Sequence, residues 1–476
     1  MRLEPLASGE IEKIDAATRQ VLAETGVRFG SKKACDLFAS AGAHVTLNDK
    51  RVRIPETLLD RALRTTTNHF RLWHRGGDQE IDLQDGKVRG HNVGGCVRIW
   101  DFEKGAPRDA TQHDLEELTT LIDALENTHV CRPVVYPREF PTKLRDIFTA
   151  ATMLQYTTKP YGVSAYSVSN LSSILLMANL VAGGLDSLRA RPFIWGSICP
   201  DSPLSYSEST ADILIQYAET GLPIAIAPCP ICGGTSPVTL AGTLVQQNAE
   251  FLAGLVLAQI IHPGIDMKYT TRPIPMDMRT GTAAFGAVEM GMMSAVIVQL
   301  AKRYKVCSDV YGLGTSARSL DEQAAFEKAV NGILVALAGA DLVAAAGLLE
   351  DALTSSAEQL VIDNEILGLI FRAVRGIAIT AETLAVEPIQ RVGPGGNFLT
   401  DPHTRDHMRK EHYQSRLCYR AGAAAWEAGG YQTLLDAARD RAQTILKTHE
   451  PVLLEEGVVA EVHRILEQAT RGLDSI

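Results

Sequence analysis

The sequence lacks a basic surplus, because its 46 Lys and Arg residues are outnumbered by 56 Asp and Glu residues and leave a formal net charge of −10. A chain that mainly binds phosphate backbones normally carries excess positive charge, so nucleic acid is not expected as a partner. Charged residues make up 21% and hydrophobic residues 46% of the 476 positions, which excludes a disordered chain. The acidic sign suits a soluble enzyme and, more weakly, a cationic ligand.

Targeting, membrane and disulfide patterns are also missing. The first twenty residues show no basic segment followed by an apolar one, so we expect no signal peptide. The longest apolar stretch, 332–349, is interrupted by Asp341 and glycines, which predicts a buried helix leading into a buried strand and no membrane span. The eight cysteines are scattered, which predicts reduced thiols and a cytoplasmic location.

Beyond about residue 110, short apolar runs alternate with loops and long apolar helices. This alternation predicts an α/β fold with parallel strands covered by helices. About eight repeats favour a closed (β/α)8 TIM barrel over an open doubly wound sheet, and no glycine-rich dinucleotide motif follows the first run. The expected strands are 129–136, 160–165, 192–198, 223–227, 266–271, 305–310, 341–346 and 389–399.

The same pattern divides the chain into three parts. Residues 1–110 are expected to form an N-terminal cap of helices and short strands, and 111–404 the catalytic barrel. Residues 405–476 are again helical in pattern and are expected to pack on the outside of the barrel.

Functional residues of such a barrel lie in the loops that follow its strands. Aromatic, arginine and carboxylate side chains are concentrated there, together with two polar residues of the cap that could reach the same place. The candidate binding residues are Tyr136, Tyr166, Trp195, Tyr269, Arg272, Arg279, Tyr311, Arg318, His91, Asn92 and Glu350. No residue is singled out as catalytic.

Two motifs suggest metal or redox chemistry. Cys229 and Cys232 form a CxxC pair, but no second pair or histidine pair completes a zinc site, and packed thiols are the favoured interpretation. His403 and His407 have helical spacing without the glutamate of a metalloprotease motif, which favours a solvated surface. We therefore expect no metal site.

Four segments carry a family resemblance that extends in order over nearly the whole chain. They are 233–254 (GGTSPVTLAGTLVQQNAEFLAG), 277–281 (DMRTG), 316–328 (SARSLDEQAAFEK) and 391–399 (RVGPGGNFL). They resemble the trimethylamine methyltransferase (MttB) superfamily. This resemblance implies a TIM barrel that transfers a methyl group from a methylated amine to the Co(I) atom of a corrinoid carried by a separate protein.

One departure from the family narrows the expected substrate. Trimethylamine members carry pyrrolysine, whereas this sequence has only the twenty standard residues; the segment 311–318 is our estimate of where pyrrolysine would lie. Members without it resemble quaternary-amine demethylases such as glycine betaine methyltransferase. A quaternary ammonium already carries its charge and leaves as a neutral tertiary amine, so the protein needs mainly to position it.

Roles follow from that chemistry. Tyr136, Tyr166, Trp195, Tyr269 and Tyr311 are candidates for a cation-binding cage, and Arg272, Arg279 and Arg318 for a carboxylate anchor. Arg279 is alternatively held in an ion pair with Asp277, and Glu350 could face the cation.

The corrinoid is expected from a cognate partner protein, because no Asp-x-His-x-x-Gly corrinoid signature occurs in this chain. A homo-oligomer is a further expectation, because helix-rich barrels of this size often pair. The alternatives are a methyltransferase for carnitine, proline betaine or butyrobetaine, a non-catalytic quaternary-ammonium binding or sensing barrel, and an unrelated lyase or aldolase. Lys159 and Lys268 lie too early in their strands to favour the last of these.

Overall fold

Eight parallel strands form a closed barrel at the centre of the computed structural model, which describes residues 3–92 and 94–473. Each strand pairs with the next along the chain and the eighth pairs with the first. Cys131 completes the ring by pairing with Tyr161. The strands are β1 (Arg89–Asn92), β2 (Thr128–Val130), β3 (Tyr161–Val163), β4 (Ile194–Ile198), β5 (Ile224–Ile226), β6 (Met267–Thr271), β7 (Cys307–Tyr311) and β8 (Leu342–Ala346). The predicted (β/α)8 fold is confirmed.

One long helix follows each strand and covers the barrel. Several begin at a Ser or Asp whose side chain accepts a hydrogen bond from a backbone N–H of the first turn, as at Ser167, Ser207 and Asp321. The helices are α1 (Gln112–Ala124), α2 (Arg145–Tyr156), α3 (Val168–Ala182), α4 (Glu208–Thr220), α5 (Leu240–Ile261), α6 (Val288–Tyr304), α7 (Glu322–Leu337) and α8 (Ala357–Arg375).

Two expectations about the strands are wrong. The segment 389–399 is not the eighth strand, because Val386–Val392 is helical and ends at Gly393, whose φ of 67° and following Pro394 interrupt regular structure. The missing strand is β1, which lies within the range expected for the cap. The division of the chain into three parts otherwise stays a prediction.

The N-terminal region packs on the outside of the barrel. Its helices Ser8–Gln20, Lys32–Ala41 and Glu56–Arg64 contact α5. A small sheet joins Val27–Phe29, His44–Thr46 and Arg51–Arg53 to Ser205–Tyr206 from the loop after β4, which anchors this region to the barrel.

A β-hairpin closes the N-terminal end of the barrel. Its strands are Arg71–Trp73 and Glu80–Asp82. Four buried side chains of this hairpin region, Phe70, Leu72, Ile81 and Leu83, form one apolar cluster with Val130, Trp195, Ala225, Cys307 and Leu342 of the barrel strands. We call Phe70–Leu83 the plug; it leaves the opposite end, where the strands terminate, as the barrel mouth.

Shorter elements border the mouth. They are the hairpins Arg98–Asp101 with Ala106–Asp109 and Met276–Asp277 with Thr282–Ala283, and the short strands Leu348–Leu349 and Thr354–Ser355. The short helix Leu185–Ala190 precedes β4 at the plug end of the barrel, where the neighbouring Arg191 donates to the carbonyl of Gly77. The short helix Ala381–Leu384 follows α8.

The C-terminal region is helical, with elements Pro402–Glu411, Ala423–Ala428, Leu434–Thr448 and Glu456–Leu473. Leu434–Thr448 packs against α8 and α1, and Glu456–Leu473 packs against α3 and α2. His449, just past the first of these, pairs with Asp123 of α1 at 2.8 Å.

Within the described residues, only α5 is long and apolar enough to cross a membrane, and 78% of its most apolar window is buried inside the protein. This burial is typical of a barrel core helix.

Candidate active site at the barrel mouth

A charged network occupies the barrel interior above the plug. The Lys268 ammonium of β6 forms an ion pair with Asp309 of β7, 2.7 Å from one carboxylate oxygen, and His91 of β1 lies 3.3 Å from the other. All three side chains are buried. The Lys268 ammonium also lies 4.1 Å from the centre of the Trp195 ring, so Trp195 already has a cation on its face. The absence of a Cβ at Gly162 leaves the space that this ring fills.

Within this network Asp309 is ionised and His91 is neutral. Burial raises the pKa of Asp309, but the positive charge of Lys268 and the hydrogen bond with His91 outweigh it and lower the pKa well below its usual range. Burial lowers the pKa of His91 despite the neighbouring carboxylate, so this imidazole is uncharged at neutral pH.

Arg132, which follows β2, lies above this network and was not identified from the sequence. Its two terminal nitrogens donate to Ser197 of β4 and to Ser164 after β3, at 2.9 and 2.5 Å. Gly94 allows this close packing, since a Cβ there would lie 3.0 Å from that of Arg132. Within the described residues, no carboxylate forms an ion pair with this guanidinium, although the side chain is buried.

Arg272, at the end of β6, is the second guanidinium of the mouth. It lies over the ring of Tyr311 from β7, with 5.1 Å between its central carbon and the ring centre. Its Nε is buried without a hydrogen-bond partner, and no described carboxylate pairs with it. The Tyr311 hydroxyl is likewise buried without a partner. Both groups are therefore available to a ligand.

Tyr136 and Tyr166 form an aromatic pair on another side of the mouth. Their ring centres are 6.5 Å apart and their planes are inclined by 56°. Asp146 of α2 accepts from the backbone N–H of Tyr166 at 2.7 Å and so fixes its strand end. Burial raises the pKa of Tyr136 even though Arg132 lies beside it, and burial raises the pKa of Tyr166 to about 12, so both rings are neutral.

Two cysteines from neighbouring strands complete the mouth. The sulfurs of Cys199, after β4, and Cys229, after β5, are 3.7 Å apart. A hydrogen bond from Cys199 lowers the pKa of Cys229 to about 7, with Arg272 contributing and burial opposing.

Several of the candidate binding residues are thus brought together and others are not. Tyr136, Tyr166, Arg272 and Tyr311 lie at the mouth. Tyr269 points out of the barrel, because strand side chains alternate, and its ring stacks on Phe251 of α5 at 3.8 Å. Assigning Tyr269 to the cage is therefore wrong.

The remaining candidates have other partners. Arg279 is exposed and pairs with Asp277 at 3.0 Å, which is the alternative stated for it, and Arg318 is exposed on the loop after β7. Glu350 forms an ion pair with Arg98 at 2.8 Å, so the negative charge of this carboxylate is balanced within the protein. Asn92 accepts from the backbone N–H of Arg132 and donates to its carbonyl, so it holds β1 and β2 together.

The sequence did contain a signal for the residues that were missed. Arg132 is a charged residue within an apolar run, two positions after the inward-facing Val130, and Asp309 has the same relation to Cys307. A charge on the inward side of a barrel strand needs a partner or a ligand. No group of three or more His, Cys, Asp or Glu side chains suited to a metal occurs among the described residues.

A closed (β/α)8 barrel with convergent polar and aromatic side chains at its mouth defines a barrel enzyme that acts on a small molecule. The solved structure of the Methanosarcina barkeri monomethylamine methyltransferase (MtmB) is similar, with a TM-score of 0.52 over 94% of this chain and 93% of that one. At 12% identity this likeness shows the fold.

Sequence comparison identifies the family. The family described as trimethylamine methyltransferase (MTTB) matches residues 1–473. The chain is 35% identical over 460 residues, 96% of its length and 92% of the relative's, to trimethylamine methyltransferase MttB of Desulfitobacterium hafniense strain DSM 10664 / DCB-2. It is 29% identical over 465 residues, 97% and 96% of the two chains, to glycine betaine methyltransferase of Desulfitobacterium hafniense strain Y51. The chain belongs to the MTTB family, and the predicted class of enzyme, a methyltransferase, is confirmed.

Proposed function

We propose that this protein transfers a methyl group from a quaternary amine bearing a carboxylate, with glycine betaine as the first candidate, to the Co(I) of a corrinoid protein. The single observation that carries this proposal is the presence of two guanidinium groups, Arg132 and Arg272, at the mouth without a carboxylate partner among the described residues. Two unpaired positive charges repel a plain cation. A zwitterionic betaine brings the missing carboxylate with it.

The guanidinium geometry suits that carboxylate. Arg272 has its nitrogens free of side-chain acceptors and is oriented by the Tyr311 ring, so its planar donors can bind a carboxylate in a bidentate manner. Arg132 is held rigidly by two serine hydroxyls and keeps a buried Nε without a partner.

The ammonium group is assigned to the tyrosine pair. Tyr136 and Tyr166 are neutral rings, and each face presented to a quaternary ammonium contributes about 0.5–2 kcal/mol. The positive charge on nitrogen disappears as the carbon–nitrogen bond breaks, so a stronger cage would favour the ground state over the transition state. A two-ring cage is a moderate one, and the carboxylate anchor supplies the remaining affinity.

The proposed reaction needs no general acid. Co(I) donates the electron pair of the new carbon–cobalt bond, and the pair of the breaking carbon–nitrogen bond stays on nitrogen, which leaves as a neutral tertiary amine. For glycine betaine this product is dimethylglycine. The chain's own residues bind and orient the amine.

The test is methyl transfer to free Co(I) cobalamin under anaerobic conditions, followed by the cobalamin spectrum. We expect transfer from glycine betaine and none from trimethylamine or choline, which have no carboxylate. Carnitine, proline betaine and butyrobetaine are compared in the same series, because the group beyond the nitrogen is not fixed by the mouth residues described above.

Three outcomes separate the alternatives. Transfer from choline at the rate of the betaines would overturn the carboxylate anchor. Betaine binding by calorimetry without transfer would favour a binding or sensing barrel. Transfer from trimethylamine alone would favour the substrate named for the 35% identical relative.

Partner and location belong to the same proposal. We assign the methyl acceptor to a separate corrinoid protein that approaches the open mouth, and the enzyme to the cytoplasm, where its eight free thiols stay reduced. A homo-oligomer stays a prediction that light scattering decides.

A further inference from the structure

The CxxC motif of the sequence has an unexpected spatial partner. Cys229 does not face Cys232, whose sulfur accepts from Thr243 of α5 and is buried. It faces Cys199 on the neighbouring strand end, with 3.7 Å between the sulfurs. Both sulfurs also lie within hydrogen-bonding distance of the same backbone carbonyl, that of Ala227, at 3.1 and 3.3 Å. The sulfurs are therefore held side by side by the barrel itself.

Solvent reaches this pair, unlike most of the other thiols. Cys199 is exposed and Cys229 is half-buried, whereas Cys35, Cys96, Cys131, Cys232 and Cys307 are buried and Cys418 lies outside the barrel. Positive charge from Arg272 lies beside Cys229, which favours its reactive thiolate. Burial raises the pKa of Cys96 and Cys131 to about 12, which leaves them unreactive.

We propose that Cys199 and Cys229 are a modification site, at which a peroxide oxidises the two thiols to a reversible disulfide across the barrel mouth. The sulfurs need to approach by less than 2 Å in total to reach the bonded distance of about 2 Å. That movement is within the range of side-chain rotation at two neighbouring strand ends.

The step balances with hydrogen peroxide as the oxidant. The Cys229 thiolate attacks one peroxide oxygen, the O–O bond breaks, and a sulfenic acid and hydroxide form, the latter taking a proton to give water. The Cys199 sulfur then attacks the sulfenic sulfur, the S–O bond breaks, and a second water leaves. Two thiols have lost two electrons and two protons, and the peroxide has gained them. A low-molecular-weight thiol reverses the reaction by exchange.

The experiment treats the full-length protein with hydrogen peroxide, blocks the remaining thiols with N-ethylmaleimide in denaturant and maps the peptides by mass spectrometry. Chymotrypsin is the protease of choice, because no Lys or Arg lies between Arg191 and Lys268 and trypsin would leave both cysteines on one peptide. We expect a cross-link between Cys199 and Cys229, with the other six thiols alkylated, and its loss after dithiothreitol.

Matched serine variants make the result specific. Cys199→Ser and Cys229→Ser should each abolish the cross-link, whereas Cys232→Ser, three residues from Cys229, should retain it. A cross-link between Cys229 and Cys232, or eight alkylated thiols after peroxide treatment, would overturn the proposal. Folding of each variant is checked by its thermal melt. Because the measurement uses no methyl-transfer assay, its failure is distinguishable from failure of the proposed function.

Discussion

Arg272 is unusual among the mouth residues because its guanidinium makes no hydrogen bond to a described side chain. Truncating it breaks few contacts within the protein, so the effect of the substitution falls on the ligand. This property makes Arg272 a more informative position than Arg132, whose guanidinium also links β2 to β3 and β4 through Ser164 and Ser197.

Arg272→Ala is expected to weaken glycine betaine binding by about tenfold or more, because hydrogen bonds to charged groups contribute about 1.5–3 kcal/mol. Binding of choline, which has no carboxylate, should not weaken. Isothermal titration calorimetry measures both. Arg51→Ala, which removes an exposed arginine of the N-terminal region, is the matched control and should change neither. Equal losses for betaine and choline would contradict the anchor.

His129 of β2 gives a residue-scale prediction about pH. Burial, and then the charge of Lys159, lowers its pKa from 6.5 to about 4, and its Nδ1 lies 3.3 Å from the backbone nitrogen of Gly90. Between pH 6.5 and pH 4 the unfolded chain therefore binds a proton at this histidine that the folded chain does not bind. The contribution of neutral His129 to the free energy of unfolding is present above pH 6.5 and is lost as the pH falls towards 4.

Between pH 7 and pH 5 this histidine should cost the wild type about 1–2 kcal/mol of unfolding free energy. His129→Asn keeps a hydrogen-bond acceptor near Gly90 but cannot titrate. From pH 7 to pH 5 the unfolding free energy of this variant should therefore fall by about 1–2 kcal/mol less than that of the wild type. Urea unfolding at the two pH values measures the difference. Parallel pH profiles for the two proteins would show that His129 is not the cause.

At the scale of elements, the helices were the most predictable part of the chain. Val168–Ala182 and Glu208–Thr220, for example, each begin directly after a capping serine, and this serine and the apolar periodicity are both signals in the local sequence. Strand β1 was not assigned to the barrel, since Arg89, His91 and Asn92 give it no apolar pattern, and its place depends on pairing with β8 and β2.

The candidate site was predictable in outline and not in detail. Tyr136, Tyr166, Arg272 and Tyr311 could be placed at the mouth because they follow strands. Tyr269 could not be excluded from the cation cage by sequence alone. An uncertainty of one residue in the strand register decides whether its side chain faces the barrel interior or the surrounding helices. The juxtaposition of Cys199 and Cys229 depends on the barrel's closure and has no counterpart in local sequence.

The plug supports an element-scale prediction. Phe70 is fully buried at the N-terminal end of the barrel, where its ring lies 5.7 Å from the Lys268 ammonium. Phe70→Ala should lower the unfolding free energy by about 3–5 kcal/mol, because it leaves a cavity beneath the buried charged network. Chemical denaturation measures this. Arg71→Ala, an adjacent exposed position with a 3.8 Å contact to Glu80, should change stability by less than about 0.5 kcal/mol.

At the scale of the whole molecule, the proposed function requires two proteins. We predict that the purified enzyme contains no stoichiometric cobalt by elemental analysis and shows no corrinoid absorbance. Its betaine-dependent activity should require added corrinoid acceptor, while the enzyme incubated with betaine alone should give no dimethylglycine. Cobalt that co-purifies with the enzyme in a one-to-one ratio would contradict the assignment of the corrinoid to a separate protein.

Blocking one end of the barrel with Phe70–Leu83 also sets the sequence of events in the proposed reaction. Both reactants must enter through the barrel mouth, and the corrinoid is much the larger of the two. The small amine therefore has to bind first, and the tertiary amine product stays in the barrel until the corrinoid protein dissociates. Turnover should accordingly follow a compulsory order, and an excess of acceptor should slow it by covering vacant enzyme.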